Sequence, residues 1–350
     1  MQSMFTRGKH RFLCIILLVC ITSSGIVVQA TFVPQRFGCS PIPTDSIIRQ
    51  GVSQIRSFQL GRHAAAFQLM LLEAFFTTNP YIDHASRIQT SITLKFIDGS
   101  YTVLIDPFAL SISPQNSSPI SFVHYTDGFQ NNSSAILLNP EEYVYGHHQC
   151  QQIISLLLRH HYHITYLAND AVTISYLRQN LSADVIFMNT HAGFFDTDGD
   201  HQADAVVIAS GENWTNDTES RYSFEYQHHM IVKGMIGDKS IIAFTPAFIE
   251  YYYPPGTFPH SLVYMATCFA TYDSSMAEAF LQAGASAYLG WSWNSVFWIN
   301  SRTSIQSFRL LSNGWTVQQV CNLIRYGGIM NRLFHSKLLF YGDGQYQIPL

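Results

Sequence analysis

Charge is what this chain has least of. Only 12% of its 350 residues are Asp, Glu, Lys or Arg, against 14% aromatic and 47% hydrophobic residues. That balance excludes a disordered chain, which combines low hydrophobicity with high net charge. Basic residues are the scarcer sign. Setting aside Arg7, Lys9 and Arg11 leaves 16 Lys and Arg against 23 acidic residues, a net charge of −7. Nucleic acid is therefore not an expected partner, because phosphate binding needs clustered cations. Long apolar runs are missing beyond the first thirty residues, so no later segment reads as a membrane span. Cysteine is scarce too: beyond the leader only Cys39, Cys150, Cys268 and Cys321 remain.

The first thirty residues have the make-up of a signal peptide. Arg7, Lys9, His10 and Arg11 form a basic start, and Phe12 to Val28 an apolar core. Val28-Gln29-Ala30 then offers small residues at the −3 and −1 positions of a cleavage site. The expectation is an exported mature chain, about residues 31–350, with no membrane segment after cleavage. An uncleaved N-terminal anchor is the alternative. Export permits disulfides, and Cys39–Cys150 and Cys39–Cys321 both stay open.

Residues 31–125 read as a small α+β module. His63 to Phe76 has helical character and ends at Thr77-Thr-Asn-Pro80. Ser91–Ile97 and Tyr101–Ile105 flank Asp98-Gly99, a type I′ hairpin signal. Residues 111–121, with Pro114, Asn116 and Pro119, read as a linker. The module's role is open between propeptide, inhibitory cap and permanent support.

Residues 126–350 alternate strand and helix. Strands are expected at 135–139, 163–167, 183–189, 261–267 and 286–293, with helical stretches at 148–161, 171–181, 276–285 and 301–326. This pattern predicts an α/β fold, a mostly parallel sheet with helices on both faces. The interval 205–258 is the least regular and carries one expected strand, near Ile241.

Two of the strands end in chemistry. The apolar run Leu262 to Ala266 leads to Cys268, then a short polar segment and a helix. Ala183 to Asn189 leads to His191-Ala192-Gly193. Ligands bind at the carboxyl ends of strands in open α/β sheets, and a thiol with an imidazole elsewhere is a candidate nucleophile and base.

The order strand–His, strand–Cys, helix with Ala283-Gly284-Ala285, strand resembles the caspase fold of clan CD cysteine peptidases. Ala279 to Trp291 and the late Leu339-Phe-Tyr-Gly-Asp343 are similar to the gingipain, clostripain and separase branch. The resemblance covers about residues 130–345. It implies a caspase-like sheet, a catalytic dyad of Cys268 and His191, and an oxyanion hole from the N–H groups of Gly193 and Cys268. It places substrate contacts on the strand after the nucleophile helix, at Trp291, Trp293 and Asn294. Two departures stand out. Ala192 intervenes where the family has Gly directly after His, and 77 residues separate His191 from Cys268, against roughly 50 in caspases.

Asp196-Thr-Asp198-Gly-Asp200-His-Gln-Ala-Asp204 puts oxygens at positions 1, 3, 5 and 9 of a tight loop, with the Gln202 carbonyl at position 7. Ca²⁺ takes such carboxylate and carbonyl ligands. A calcium site is expected here, ordering the wall beside the catalytic centre, since the loop starts five residues after His191. The paired histidines, such as His147-His148 and His228-His229, lack partners at ligand spacing and read as surface residues. Six sequons start at Asn116, Asn131, Asn132, Asn180, Asn213 and Asn216.

The expected function is an exported, calcium-assisted cysteine endopeptidase acting on a peptide or protein substrate, with oligomeric state open. A catalytically silent caspase-fold binding protein and a transpeptidase are the alternatives.

Overall fold

A computed structural model describes residues 13–22, 25–34, 44–57, 65–109, 122–125, 133–258 and 260–350. Cys39, the basic start of the leader, the linker over 111–121 and the sequons at Asn116, Asn131 and Asn132 lie outside them. The sequons at Asn180, Asn213 and Asn216 are exposed.

The described strands are, in chain order, β1 (Leu13–Thr22), β2 (Gly25–Pro34), β3 (Ile82–Ile88), β4 (Ser91–Phe96), β5 (Tyr101–Asp106), β6 (Phe122–Tyr125), β7 (Ser134–Asn139) and β8 (His163–Ala168). They continue as β9 (Val185–Asn189), β10 (Ala192–Phe195), β11 (Ala205–Asn213), β12 (Ile231–Ile236), β13 (Lys239–Phe244), β14 (Leu262–Ala266), β15 (Ala287–Trp291) and β16 (Leu338–Gly342). β1 and β2 pair only with each other. The remaining strands form two seven-stranded sheets.

The first sheet has the order β16-β15-β14-β9-β7-β8-β6. Its five middle strands are parallel, and β16 and β6 close the edges antiparallel. Period-two alternation sends Leu137, Tyr166, Phe187 and Tyr264 to one face, under the helices His148–Leu158, Phe297–Leu311 and Val317–Leu323. Leu138, Leu167, Met188 and Met265 point the other way, beneath Pro246–Tyr252, Ser275–Gln282 and strands of the second sheet. Both faces are thus covered, as the continuous apolar runs require. Cys150 and Cys321 are free thiols buried in the first of these layers.

The second sheet, β10-β11-β13-β12-β5-β4-β3, is antiparallel except for β12 beside β5. It curls until β10 returns to β4, where Thr93 Oγ1 donates to the Phe194 carbonyl (2.9 Å) and the Phe194 N–H to Ser91 Oγ (3.0 Å). Val103, Ile105, Phe195, Val207, Val232 and Ile241 fill its interior. The helices Thr44–Ser57 and Ala65–Thr77 pack outside it.

Three sequence expectations change. The stretch 205–258 is not irregular; it holds β11, β12 and β13. Residues 31–125 do not form a sheet of their own, because β5 pairs in parallel with β12. The Asp98-Gly99 turn is not a two-residue type I′ turn. Gly99 alone has positive φ (85°), and its N–H donates to the Phe96 carbonyl (2.9 Å), so the loop is a turn followed by one left-handed residue.

Candidate active site

The parallel sheet reverses its winding at β7: the chain steps to β8 on one side, then returns to β9 on the other. The carboxyl ends beside such a switch open into a crevice. Here that crevice is a cavity of about 1080 Å³, walled on its far side by the second sheet. His191, Ala192, Cys268 and Asn294 all line it.

His191 stands where the chain leaves one sheet for the other, between the end of β9 at Asn189 and the start of β10 at Ala192. Its Nε2 is bonded to the Tyr145 hydroxyl and lies 3.5 Å from Glu141 Oε2. Nδ1 has no hydrogen-bond partner among the described residues. The Glu141 side chain is 1% exposed, and neither oxygen has a hydrogen-bond partner among the described residues. Glu141 Oε2 is thus within ion-pair range of the imidazole, on the side away from solvent. Burial, with Glu141 and Cys268 nearby, holds the Tyr145 phenol well above its ordinary pKa.

Cys268 sits two residues past β14, at a sharp turn. The next residue, Phe269, has φ of 59°, which a bulky side chain rarely adopts. Packing holds it there: Phe269 lies tilted on Phe194 and edge-on to Trp293 in the core. Gly290 of β15 makes room for the same turn, since a Cβ on it would lie 2.5 Å from Ala270 Cβ. Cys268 Sγ faces Asn294 Oδ1 (3.1 Å) and receives the Ser295 N–H (3.2 Å). Burial pushes the thiol up to about 11; the Ser295 N–H opposes this and Asp106 adds to it.

Beneath both groups runs a ladder of buried amides. Asn189 Nδ2 donates to Asn139 Oδ1 (3.0 Å), and Asn300 Nδ2 to Asn189 Oδ1 (3.3 Å) and to the Ala266 carbonyl (2.9 Å). Trp291 Nε1 donates to Asn300 Oδ1 (2.8 Å). The ends of β7, β9, β14 and β15 are thereby tied in one plane.

Several expected site residues stand elsewhere. Trp291 is fully buried and serves this ladder, not a substrate pocket. Trp293 packs on Phe269 and Tyr272 away from the cavity wall. Gly193 is opposite Val207, two residues on from the bond between Ala209 N–H and the His191 carbonyl. Alternation in an antiparallel ladder commits its N–H to β11 and turns that of Ala192 away from β11. Glu141, Tyr145, Asn139, Asn189 and Asn300 escaped sequence reasoning. The one available signal was the asparagine ending each of β7 and β9.

The acidic loop gathers only part of its expected ligand set. Carboxylate oxygens of Asp196, Asp198 and Asp204 lie within 4.8 Å of one another. The Asp200 carboxylate instead accepts the Gln202 N–H (2.7 Å). Burial would raise the Asp196 pKa, but the Ser86 hydroxyl and the N–H groups of Gly199, His201 and Asp198 bring it below the ordinary value. The loop lies at the far end of β10 from His191, roughly 16 Å along the strand at about 3.3 Å per residue. It rests on β3 through Ser86 and does not line the cavity.

No family model, no curated protein and no solved structure matches this chain.

Proposed function

We propose that the protein is a cysteine endopeptidase of the caspase-like kind, exported from the cytoplasm. The observation that carries this reading is that His191 and Cys268 line one cavity, at the ends of adjacent parallel strands. A thiol near 11 is ionised in about one molecule in ten thousand at neutral pH, so it needs a base during reaction. His191 Nδ1 supplies it, while Nε2 bonds the Tyr145 hydroxyl with Glu141 close behind at 3.5 Å.

In the reaction, Nδ1 takes the Sγ proton and Sγ attacks the scissile carbonyl carbon. The N–H groups of Cys268 and Ala192 receive the developing oxyanion. Nδ1 returns its proton to the leaving amine, and water then hydrolyses the thioester. Asp196, Asp198 and Asp204 would hold Ca²⁺, whose hard-oxygen preference their carboxylates meet. The ion would brace the joint between β10 and β3.

A peptidyl acyloxymethyl ketone panel, read by mass spectrometry, tests the assignment. A Cys268 adduct in the wild type, absent from Cys268→Ala and slowed in His191→Ala, is expected. A folded protein that takes no label under any condition would overturn it. That outcome belongs to a second reading, a silent binding protein, which the Tyr145 bond to His191 Nε2 and the high thiol pKa favour.

A further inference from the structure

Between Glu278 and Asp343 the chain has no acidic residue, yet it carries Arg302, Arg309, Arg325, Arg332 and Lys337. None of these five is in an ion pair with a described residue. In a protein of net negative charge this is a local excess of cations. The same stretch holds eight of the fifteen large apolar side chains exposed among the described residues, including Trp298 (66%), Ile329 (75%) and Leu333 (65%).

The helix Ile329–Leu333 shows how that surface is made. Its one buried residue is polar: Asn331 accepts the Val296 N–H (3.2 Å) and donates to Ser295 Oγ (2.9 Å). Pinned by its amide, the helix turns Ile329, Met330 and Leu333 outward. A helix settling on its own core would bury those and expose the asparagine. The backbone of Gly328 lies on Ile299, which sets this helix beside the start of Phe297–Leu311. Along Phe297–Leu311, Trp298, Arg302 and Arg309 border an open groove shared with His148 and Gln149.

We propose that residues 297–337 form a docking face for a bilayer surface bearing anionic lipid. Trp298, Ile329, Leu333 and Phe334 enter the headgroup boundary, and Arg302, Arg325, Arg332 and Lys337 meet lipid phosphates. Cations interleaved with projecting apolar side chains are what such a surface selects. Ile329 and Leu333, at 75% and 65% exposed, project outward and line neither the cavity nor the groove. No described helix is long and apolar enough to cross a membrane. The docking face departs from the sequence expectation of no membrane partner after signal cleavage. Docking would bring the cavity mouth toward the lipid, because Ser295 contacts both Cys268 and Asn331.

The test is co-sedimentation of the full chain with phosphatidylcholine vesicles, with and without phosphatidylglycerol. Binding only to the anionic vesicles, weakened by salt, is expected. Arg325→Glu and Arg332→Glu should each cost at least about fivefold in partitioning. Ile329→Asp with Leu333→Asp should abolish binding, while Tyr251→Asp on another exposed site leaves it unchanged. Equal melting temperatures keep misfolding out of the result. Binding to neither vesicle, or equal binding by the double aspartate variant, would overturn the proposal. So would a concentration-dependent dimer, broken by the same variant, in a chain that ignores vesicles.

Discussion

The two sheets that meet at the cavity contribute to it in different ways. The parallel sheet brings reactive groups: its strand ends lead into Glu141, His191 and Cys268, and asparagines fix their spacing. The curled sheet brings walls, with Ile105, Asp106, Ile236 and Lys239 closing the far side. The difference follows from how each is tied. Parallel strands all end on one side and converge there. An antiparallel sheet sends alternate ends apart, so it encloses space without gathering side chains. His191, on the two residues that join the sheets, belongs to both.

If that division is right, damage to the strand-end framework should be most severe. Gly290→Val would force a side chain into Ala270 and displace the Cys268 turn. A loss of about 3 kcal/mol in chemical denaturation, with labelling of Cys268 abolished, is expected. Next comes Glu141→Gln, which keeps the shape but removes the charge beside His191. Turnover should fall about a hundredfold with KM unchanged, measured on the best peptide substrate. An equal fall in binding would instead make Glu141 part of the substrate pocket.

Ser86→Ala probes the curled sheet and should matter less, about 2 kcal/mol near neutral pH in thermal melts. The sign with pH is set by Asp196, whose folded pKa is depressed. Its contribution is complete above the ordinary carboxylate pKa and disappears as pH falls through the folded value. The gap between variant and wild type should therefore close in acid. Smallest is a change of slope in the labelling kinetics. In His191→Ala, reaction with neutral iodoacetamide should climb about tenfold per pH unit toward 11, whereas the wild type should be flatter.

The parallel sheet was legible because its signal is local. Runs such as Val185–Asn189 and Leu262–Ala266 are buried on both faces and read as continuous apolar segments. Of the curled sheet only the hairpin of β4 and β5 and a strand near Ile241 were legible, since the pairing of β5 with β12 joins segments distant in sequence. At the site, His191 and Cys268 could be found by residue type at a strand end. Glu141 and Tyr145 could not, because their place depends on a turn after β7 that folds back over β9. Trp291 misled for the opposite reason: a strand position fixes which strand it is on, not which face its ring takes.

The pairing of Thr102 with Lys233 has a further consequence, for the order of assembly. β5 emerges 131 residues before its parallel neighbour. Until then the hairpin of β4 and β5 carries an unsatisfied edge, a template for unwanted strand addition. So long a closure is slow. The nascent chain must keep that edge covered, and a variant delayed at this step would aggregate before it ever acquired a cavity.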